Sequence, residues 1–351
     1  MKRCLNKMAG VIFLASLFMM TSCVHQYPQP TEAEFVLDLI FDEGIPQGPV
    51  HDLTTKVSGN KDHYDIRYVV EAYRELSKGV YSEEPYAEFV FTKDDVSEFD
   101  HSLSLWIMEG SYRFSIWADY VDAGSDDNKF YNADDHGYIK LLGKEENLPH
   151  YGNTDFRDAF FGTVDAEVVR YGQDHSPSSA TLEMQRPMSK VVFIATDLDL
   201  WKTKVFLNMK EMNAQAGIQD NTVKSPDDIN LDDYVVTIHY PQYMPSAFSI
   251  ATDRTVWSET NVSFNSRLRQ LNADEASMGF DYVFANADDA KVIMSVSLSD
   301  IDGNVISRSN DITVPLERGK VTTVRGTFLT DDADGGVSID PDFDGEFNIM
   351  I

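Results

Sequence analysis

The chain is poor in cysteine. Only Cys4 and Cys23 occur among its 351 residues, and both lie near the N-terminus. A fold that begins after them contains no disulfide and no thiol, so its stability depends on its hydrophobic core alone. The same scarcity excludes catalytic cysteine, zinc–thiolate and iron–sulfur chemistry from the folded part.

Positive charge is also scarce. The chain has 29 Lys and Arg against 58 Asp and Glu, and its formal net charge is −29. Nucleic-acid-binding proteins need a basic surface, so we expect no nucleic-acid partner. The acids are dispersed and fall mostly in turns, which is typical of a solvated, self-repelling surface.

Catalytic motifs are missing from the sequence. It has no Gly-x-Ser-x-Gly, no His-Glu-x-x-His and no glycine-rich phosphate loop, and its eight His are scattered without metal-ligand spacing. Paired carboxylates are abundant, which leaves a glycan-processing enzyme open, with two carboxylates about 5–10 Å apart. No pair stands out, so we predict no catalytic residue, no enzymatic activity and no cofactor.

The N-terminus has the features of a secretion signal. Residues 1–7 carry three positive charges, and residues 8–20 are uncharged and too short to span a bilayer. This run ends in Met20-Thr21-Ser22-Cys23, which resembles the bacterial lipobox. We predict cleavage before Cys23, with diacylglycerol on its sulfur and an acyl chain such as palmitate on its new amine. Three acyl chains are sufficient for stable anchoring in the outer membrane.

Alternating apolar residues follow a short tether at residues 23–31. Phe35, Leu37, Leu39 and Phe41 alternate with more polar neighbours, which is the pattern of a half-buried strand. The same pattern predicts further strands over Tyr64–Tyr73, Tyr86–Phe91, Ser102–Met108, Tyr112–Ala118, Thr163–Arg170 and Ala180–Gln185.

Arg186-Pro187 interrupts this series, and a second series of strands follows. They are predicted over Lys190–Thr196, Tyr234–Tyr240, Phe280–Ala285, Lys291–Ser299, Val305–Ser309, Val321–Leu329 and Glu346–Ile351. We predict an all-β chain with signal peptide 1–22 and two tandem β-sandwich domains, residues 32–186 and 187–351. Asp302-Gly303 predicts a hairpin turn. The only helix predicted is Leu207–Ala216, and Asp155–Phe161 is either a short helical segment or irregular.

The chain ends on a strand pattern. Phe347, Ile349 and Ile351 alternate with Asn348 and Met350 up to the last residue. A terminus is usually polar and frayed unless it is held in place. We therefore predict that this strand pairs within its domain or with a neighbouring chain.

An acidic segment just before this strand has the opening of a calcium-binding loop. Asp340, Asp342, Asp344 and Gly345 have the first, third, fifth and sixth positions of such a loop. The glutamate required at position twelve is missing, because Ile351 stands there. An acidic turn is therefore the favoured interpretation, and a Ca²⁺ site is the alternative.

The four tryptophans are candidate ligand contacts. Trp106 and Trp117 lie in strand patterns, which favours packing in the core. Trp201 and Trp257 lie in less regular segments, which makes them the surface candidates. An exposed cluster containing either one would indicate a binding module for a glycan or a host protein.

Several stretches resemble a known family. They are Tyr112–Asp122, Arg186–Val191, Val314–Gly326 and the ending Gly345–Ile349. Together with the lipobox they resemble the two-domain fimbrillin-type accessory and anchor lipoproteins of Bacteroidota, relatives of the minor-fimbria anchor subunits. The resemblance implies two transthyretin-like β-sandwiches, exposure at the cell surface and fimbrial subunits as partners.

The resemblance also implies a mechanism of assembly. In polymerising members a protease cuts after an Arg near the first strand, and a neighbour's strand fills the vacated groove by β-augmentation. Here the first Arg after Cys23 is Arg67, in the second predicted strand. An uncut chain would act as an anchor, a terminator or a surface adhesin, and cleavage at Arg67 is the alternative. We expect the strands Glu34–Phe41 and Phe347–Ile351 at sheet edges or in exchangeable grooves.

Overall fold

A computed structural model describes residues 31–41, 63–94, 102–143, 146–170, 176–218, 223–288, 290–330, 338–340 and 346–350. For the last two ranges it describes the backbone alone. The structural statements below concern these residues. Cys23 and the predicted signal peptide and most of the predicted tether lie outside them.

The described part of the first half contains ten strands. They are β1 (Glu32–Phe41), β2 (Tyr64–Ser77), β3 (Val80–Tyr81), β4 (Ala87–Lys93), β5 (Ser102–Met108), β6 (Gly110–Asp122), β7 (Tyr131–Asn132), β8 (Ile139–Leu141), β9 (Phe160–Val168) and β10 (Ser178–Met184).

The described part of the second half contains one α-helix and eleven strands. They are β11 (Met188–Ala195), α1 (Leu198–Ala216), β12 (Tyr234–Ser249), β13 (Arg254–Arg267), β14 (Arg269–Gln270), β15 (Ala276–Phe284), β16 (Ala290–Asp300), β17 (Val305–Arg308), β18 (Ile312–Leu316), β19 (Val321–Gly326), β20 (Ser338–Asp340) and β21 (Glu346–Met350).

Two sheets of the first half form a sandwich. β1 lies between β10 and β5 in a three-stranded sheet, and β2, β3, β4, β6 and β9 form a second sheet. Alternate side chains of both sheets fill the space between them, which we call the first core. Its fully buried members include Phe35, Leu37, Tyr68, Phe114 and Ile116.

The second half forms a larger sandwich. One sheet has the order β14-β15-β11-β19-β21-β20. In the other sheet, β12 pairs with β13 along one side and with β16 and β8 along the other. The interior between them, which we call the second core, includes Phe193, Tyr240, Phe248, Met278 and Val324. The predicted all-β sandwich architecture is therefore confirmed.

Part of the first half is built into the second sandwich. β8 pairs with β12 at Ala247 and Phe248, and β7 pairs with β8. Trp117 of β6 also belongs to the second core. The predicted domain boundary at residues 186 and 187 falls in the short connection between β10 and β11, and it stays a prediction.

The helix α1 is longer than predicted, because it begins at Leu198 rather than Leu207. Leu198 and Trp201 anchor its first turn in the second core. Gly217 ends it in the left-handed conformation, with φ 67°, where a glycine avoids the Cβ clash. No helix in the described ranges combines the length and apolar character needed to cross a membrane.

Candidate functional site

β1 occupies the middle of its sheet. Its register pairs Phe35 with Leu105 of β5 on one side and with Ser178 of β10 on the other. It runs antiparallel to β5 and parallel to β10, so its main chain is paired along both sides. We predicted this strand at a sheet edge or in an exchangeable groove, and the edge alternative is wrong. β1 fills a groove between β5 and β10, and its exchange stays a prediction.

The inward side of β1 is apolar. Ala33, Phe35, Leu37 and Leu39 are each at most 2% exposed. Phe35 stacks on Phe114 of β6, with ring centroids 4.9 Å apart and planes inclined by 9°. Burial of each large side chain contributes roughly 1.5–3 kcal/mol. Apolar packing and main-chain hydrogen bonds therefore hold this strand in its groove.

The outward side of the same sheet is polar. Ser104 donates a hydrogen bond to Glu34 Oε1, and Ser102 donates one to Asp38 Oδ1, both at 2.7 Å. Trp106 lies opposite Glu34 in the register. Among the described residues, no ion pair joins β1 to another strand.

A cavity of about 470 Å³ lies where β1 and β10 end. Arg186 and Arg318 both line it. Arg186 binds both oxygens of Asp158, at 2.9–3.0 Å, and Arg318 Nη1 binds Asp253 Oδ1 at 2.6 Å. Because each guanidinium group is already neutralised by a carboxylate, the cavity is poorly suited to an anion.

Arg67 is the fourth residue of β2, and it pairs with β4 on one side and with β6 on the other. Its side chain is 3% exposed. Nε and Nη2 donate to the two oxygens of Asp119 at 2.9 and 2.7 Å, and Nη1 reaches Asn128 Oδ1 at 2.8 Å. Proteases cut exposed, loosely held segments. Cleavage after Arg67 would therefore require β2 to leave its sheet.

The last strand also lies inside a sheet. β21 runs parallel to β19 on one side and antiparallel to β20 on the other, so the predicted edge position is wrong here too. The side chains of Phe347 and Ile349 lie outside the described residues, as does Ile351. The role of both terminal strands in exchange stays a prediction.

The candidate calcium ligands cannot be placed. The side chains of Asp340, Asp342 and Asp344 lie outside the described residues. Elsewhere in the described ranges, no group of three His, Cys, Asp or Glu side chains is arranged to hold a metal ion.

The structure divides the four tryptophans differently from the sequence. Trp117 is buried and Trp257 is 50% exposed, both as predicted. Trp201 is 2% exposed and packs edge-on against Tyr234, so its prediction as a surface residue is wrong. Trp106 is 61% exposed, so its prediction as a core residue is also wrong. The odd-numbered residues of β5 face the first core. Trp106 is even-numbered, so its side chain lies on the outward side of the strand.

A buried polar network joins the segment that follows β8 to the second sandwich. Arg157, which follows β8 in the chain, forms an ion pair with Asp281 of β15. The same carboxylate accepts hydrogen bonds from Tyr240 Oη at 2.6 Å and from His150 Nε2 at 2.7 Å. Burial by itself would raise the pKa of Asp281, but Arg157, His150 and Tyr240 together lower it. The charged form of Asp281 is therefore the stable one in the interior.

Two further ion pairs lie next to this network. Lys190 of β11 binds Asp155 Oδ1 at 2.6 Å, and Arg186 binds Asp158. Asp155 and Asp158 flank Arg157, so one short segment contributes three charges that are neutralised elsewhere. The sequence did not reveal this arrangement, because Arg157 and Asp281 are 124 positions apart. The only local signal was the density of charges between residues 155 and 158.

No curated protein sequence matches this chain. Among solved structures, a candidate cell adhesion protein from Bacteroides eggerthii matches with 12% identity, 92% of this chain, 95% of that chain and a TM-score of 0.43. The fimbrial anchor protein Mfa2 from Porphyromonas gingivalis matches with 10% identity, 79% of this chain, 81% of that chain and a TM-score of 0.38.

A candidate polysaccharide-binding protein from Bacteroides thetaiotaomicron matches with 12% identity, 79% of each chain and a TM-score of 0.42. One of these structures is a fimbrial anchor protein, the kind of protein that the sequence resembles. The model of a family of unknown function, DUF6562, matches residues 30–351. The chain therefore belongs to the DUF6562 family.

Proposed function

We propose that this protein is a lipid-anchored, non-enzymatic surface subunit of fimbrial type that keeps its own first strand and anchors its neighbours. The proposal rests on the position of β1 in its sheet. The strand is paired on both sides and buried along its inward face. The first Arg after Cys23 is buried in an ion pair rather than offered to a protease.

The position of β1 in the chain gives this observation its functional meaning. Cys23 precedes Glu32 by only nine positions, so a lipid on Cys23 would be joined directly to the strand that fills the groove. A subunit that fills its own groove cannot accept a neighbour's strand there. Such a subunit belongs at the membrane end of an assembly, and its contact with the next subunit must use another element. We assign that contact to β21, the last strand, which would have to leave its position between β19 and β20 to make it.

The first experiment examines the N-terminus of the mature protein. Intact-mass and N-terminal peptide analysis of protein from native outer membranes should give lipidated Cys23 joined to an uncut chain. A Cys23→Ala variant, which lacks the lipid acceptor, is the control and should leave the outer membrane. A mature chain that begins at Tyr68 would overturn the proposal, because β1 and the lipid would then be lost.

The second experiment examines anchoring. Cells that lack the protein should release fimbriae into the medium, and the full chain should restore attachment. A chain that ends at residue 345 should reach the membrane in normal amounts yet fail to hold fimbriae. Fimbriae that stay attached to cells without the protein would exclude an anchoring role.

The non-enzymatic part of the proposal agrees with the state of the buried acids. Asp119, Asp158 and Asp281 are each bound to an arginine, which occupies the groups that acid–base catalysis would need. A ligand-binding surface lipoprotein is the second candidate function. The exposure of Trp106 and Trp257 favours it, because exposed indoles are common in binding sites.

A further inference from the structure

A cavity of about 320 Å³ lies beside β13, away from the groove of β1. One side of it comes from β13, and the other comes from Leu141 at the end of β8 and from residues 143 and 148–150, which follow it. Among the described strands β13 pairs with β12 alone. Its other side faces the residues that follow β8. Ligand sites of about 300–1,000 Å³ are typical for small molecules, and this volume suits a single ring.

The β13 side of the cavity is polar. Glu259, Asn261 and Ser263 contribute a carboxylate, an amide and a hydroxyl group to its lining. Glu259 is 9% exposed, which is unusual for an acid in a chain with so much exposed carboxylate. These three groups supply both acceptors and donors for a ligand that carries hydroxyl groups.

A backbone irregularity places the amide of Asn261. The β12–β13 pairing shifts register between Tyr240 and Tyr243, and Asn261 has a φ of 55° there. Such bulges re-aim side chains and are frequent beside functional sites. Asn261 Oδ1 accepts a hydrogen bond from His239 Nε2 at 2.9 Å. Its amide NH₂ donates to no group of the described residues, which leaves a donor for a ligand.

The opposite side of the cavity is mostly apolar. Leu141, Leu148 and Pro149 line it, and Leu148 at its rim is 38% exposed. A cavity with one apolar wall and one hydrogen-bonding wall matches a pyranose ring, which has C–H faces and a rim of hydroxyl groups. His150 also lines the cavity, but its Nε2 is already bonded to Asp281.

The charge of the cavity lining favours neutral ligands over anionic ones. No Lys or Arg of the described chain lines the cavity, and Glu259 contributes a carboxylate. Phosphate, sulfate and carboxylate ligands would be repelled by this lining. A neutral ligand is therefore favoured over an anionic one.

We propose that this cavity binds one neutral hexose or N-acetylhexosamine residue, at the end of a glycan. Glu259 accepts hydrogen bonds from sugar hydroxyl groups, Asn261 donates one, and Leu148 and Pro149 pack on the ring. The site lies outside the anchoring function proposed above, since it uses neither β1 nor β21.

The test is ligand-observed saturation-transfer NMR on the full mature chain in detergent. The probes are glucose, galactose, mannose, N-acetylglucosamine and N-acetylgalactosamine, with inorganic phosphate in a competition arm. At least one sugar should show saturation transfer, and phosphate should not compete. The proposal is overturned if no sugar binds or if phosphate displaces the sugar.

Asn261→Gly is the sharpest variant, because glycine tolerates a positive φ and the change removes only the amide group. It should weaken sugar binding about tenfold, the upper end of what one hydrogen bond contributes. Asn153→Gly is the matched control, since Asn153 has a φ of 58° and lies outside the cavity lining. Its affinity should equal that of the wild type. Equal affinity for Asn261→Gly would place the sugar elsewhere and overturn the assignment.

A second variant fills the cavity without touching its polar groups. Leu148→Trp adds volume at the exposed rim, where the fold tolerates change. It should abolish the transfer signal while thermal unfolding stays unchanged. Undiminished binding by this variant would also count against the site.

Discussion

Two elements of this protein insert into sandwiches, and they are held in different ways. β1 inserts into the first sandwich through apolar side chains and main-chain pairing. Residues 131–158, which we call the crossing segment, insert into the second sandwich. Residues 144 and 145 of this segment are not among those that the structure describes. The crossing segment is also held by the pairing of β8 with β12 and by apolar packing, but it adds charges in the interior, namely Arg157 on Asp281, Asp155 on Lys190 and Asp158 on Arg186.

The two kinds of attachment differ in specificity. Apolar packing is non-directional, so any strand with the right alternation fits a groove such as that of β1. Each residue of a buried ion pair requires its own partner, because either charge alone is strongly disfavoured in the interior. Packing of this kind would allow another apolar strand in the place of β1, whereas the crossing segment needs its own charges. Because β1 is part of the same chain, it is favoured over a strand from a neighbour.

The largest expected effect concerns the crossing segment. Asp281→Asn preserves the shape of the side chain but leaves Arg157 buried without its counter-charge. The free energy of unfolding should fall by about 3–5 kcal/mol, as is typical when one partner of a buried pair is removed. Chemical denaturation monitored by tryptophan fluorescence measures it.

The matched control for this change is an exposed ion pair. Arg113 and Asp165 are joined at 2.7 Å, and their side chains are 47% and 50% exposed. Asp165→Asn should cost at most about 1 kcal/mol, because solvent screens the pair. Equal losses for the two variants would show that the network does not hold the crossing segment.

A smaller effect is expected at the first strand. Leu37→Ala removes a fully buried side chain from the first core and should cost about 3 kcal/mol. Amide hydrogen exchange should accelerate in β5 and β10 and stay unchanged in β12 and β15. Val36→Ala, on the outward side of the same strand, should cost less than about 1 kcal/mol. Faster exchange throughout both sandwiches would contradict separate attachments.

Low pH should weaken the attachment of the crossing segment more than that of β1. Burial, assisted by the charge of Arg67, lowers the pKa of His136 in the crossing segment from 6.5 to about 3. The unfolded chain therefore binds a proton below pH 6.5 while the folded chain does not. Stability should fall by about 1.4 kcal/mol per pH unit between pH 6.5 and the folded pKa for this histidine alone. β1 and its two neighbouring strands contain no His.

The pH effect is isolated by comparison with His136→Gln, which cannot titrate. Denaturation at pH 7 and pH 5.5 should show a smaller loss for the variant than for the wild type. Glu71 acts in the opposite sense, since burial raises its pKa and the folded state takes up its proton first. It is present in both chains, but its carboxylate lies 3.4 Å from His136 Nδ1, so part of the difference reports on this contact. Identical pH dependence would show that His136 is charged in the folded protein.

The strands were predictable because each depends on a local pattern. The alternation of Phe35, Leu37 and Leu39 fixed both the existence of β1 and its inward face. β13 was missed, because residues 254–267 include several polar residues that face solvent on one edge strand. The first turns of α1 were missed as well. They depend on the anchoring of Leu198 and Trp201 in the second core, which is a tertiary effect.

The position of the candidate site could not be predicted in the same way. The sequence indicated which residues of β1 were apolar, but the order of strands in a sheet depends on contacts distant in sequence. The parallel pairing of β1 with β10 joins Phe35 to Ser178, for example. The burial of Arg67 depends likewise on Asp119, which lies in β6. The sequence pattern therefore predicted a sheet edge or an exchangeable groove for β1, with Arg67 as an alternative cleavage point. In the structure β1 is paired on both sides and Arg67 is buried in an ion pair.

The smallest expected effect tests whether the outward face of β1 contributes to its attachment. Ser104→Ala removes the hydrogen bond to Glu34, which is exposed to competing water. The unfolding free energy should change by less than about 0.5 kcal/mol, since surface substitutions of this kind are nearly neutral. Hydrogen exchange of the β1 amides should be unchanged as well. If Ser104→Ala instead accelerated exchange along β1, the polar face would be part of the attachment. The groove would then select its strand by specific hydrogen bonds, and the contrast between an exchangeable and a fixed insertion would be lost.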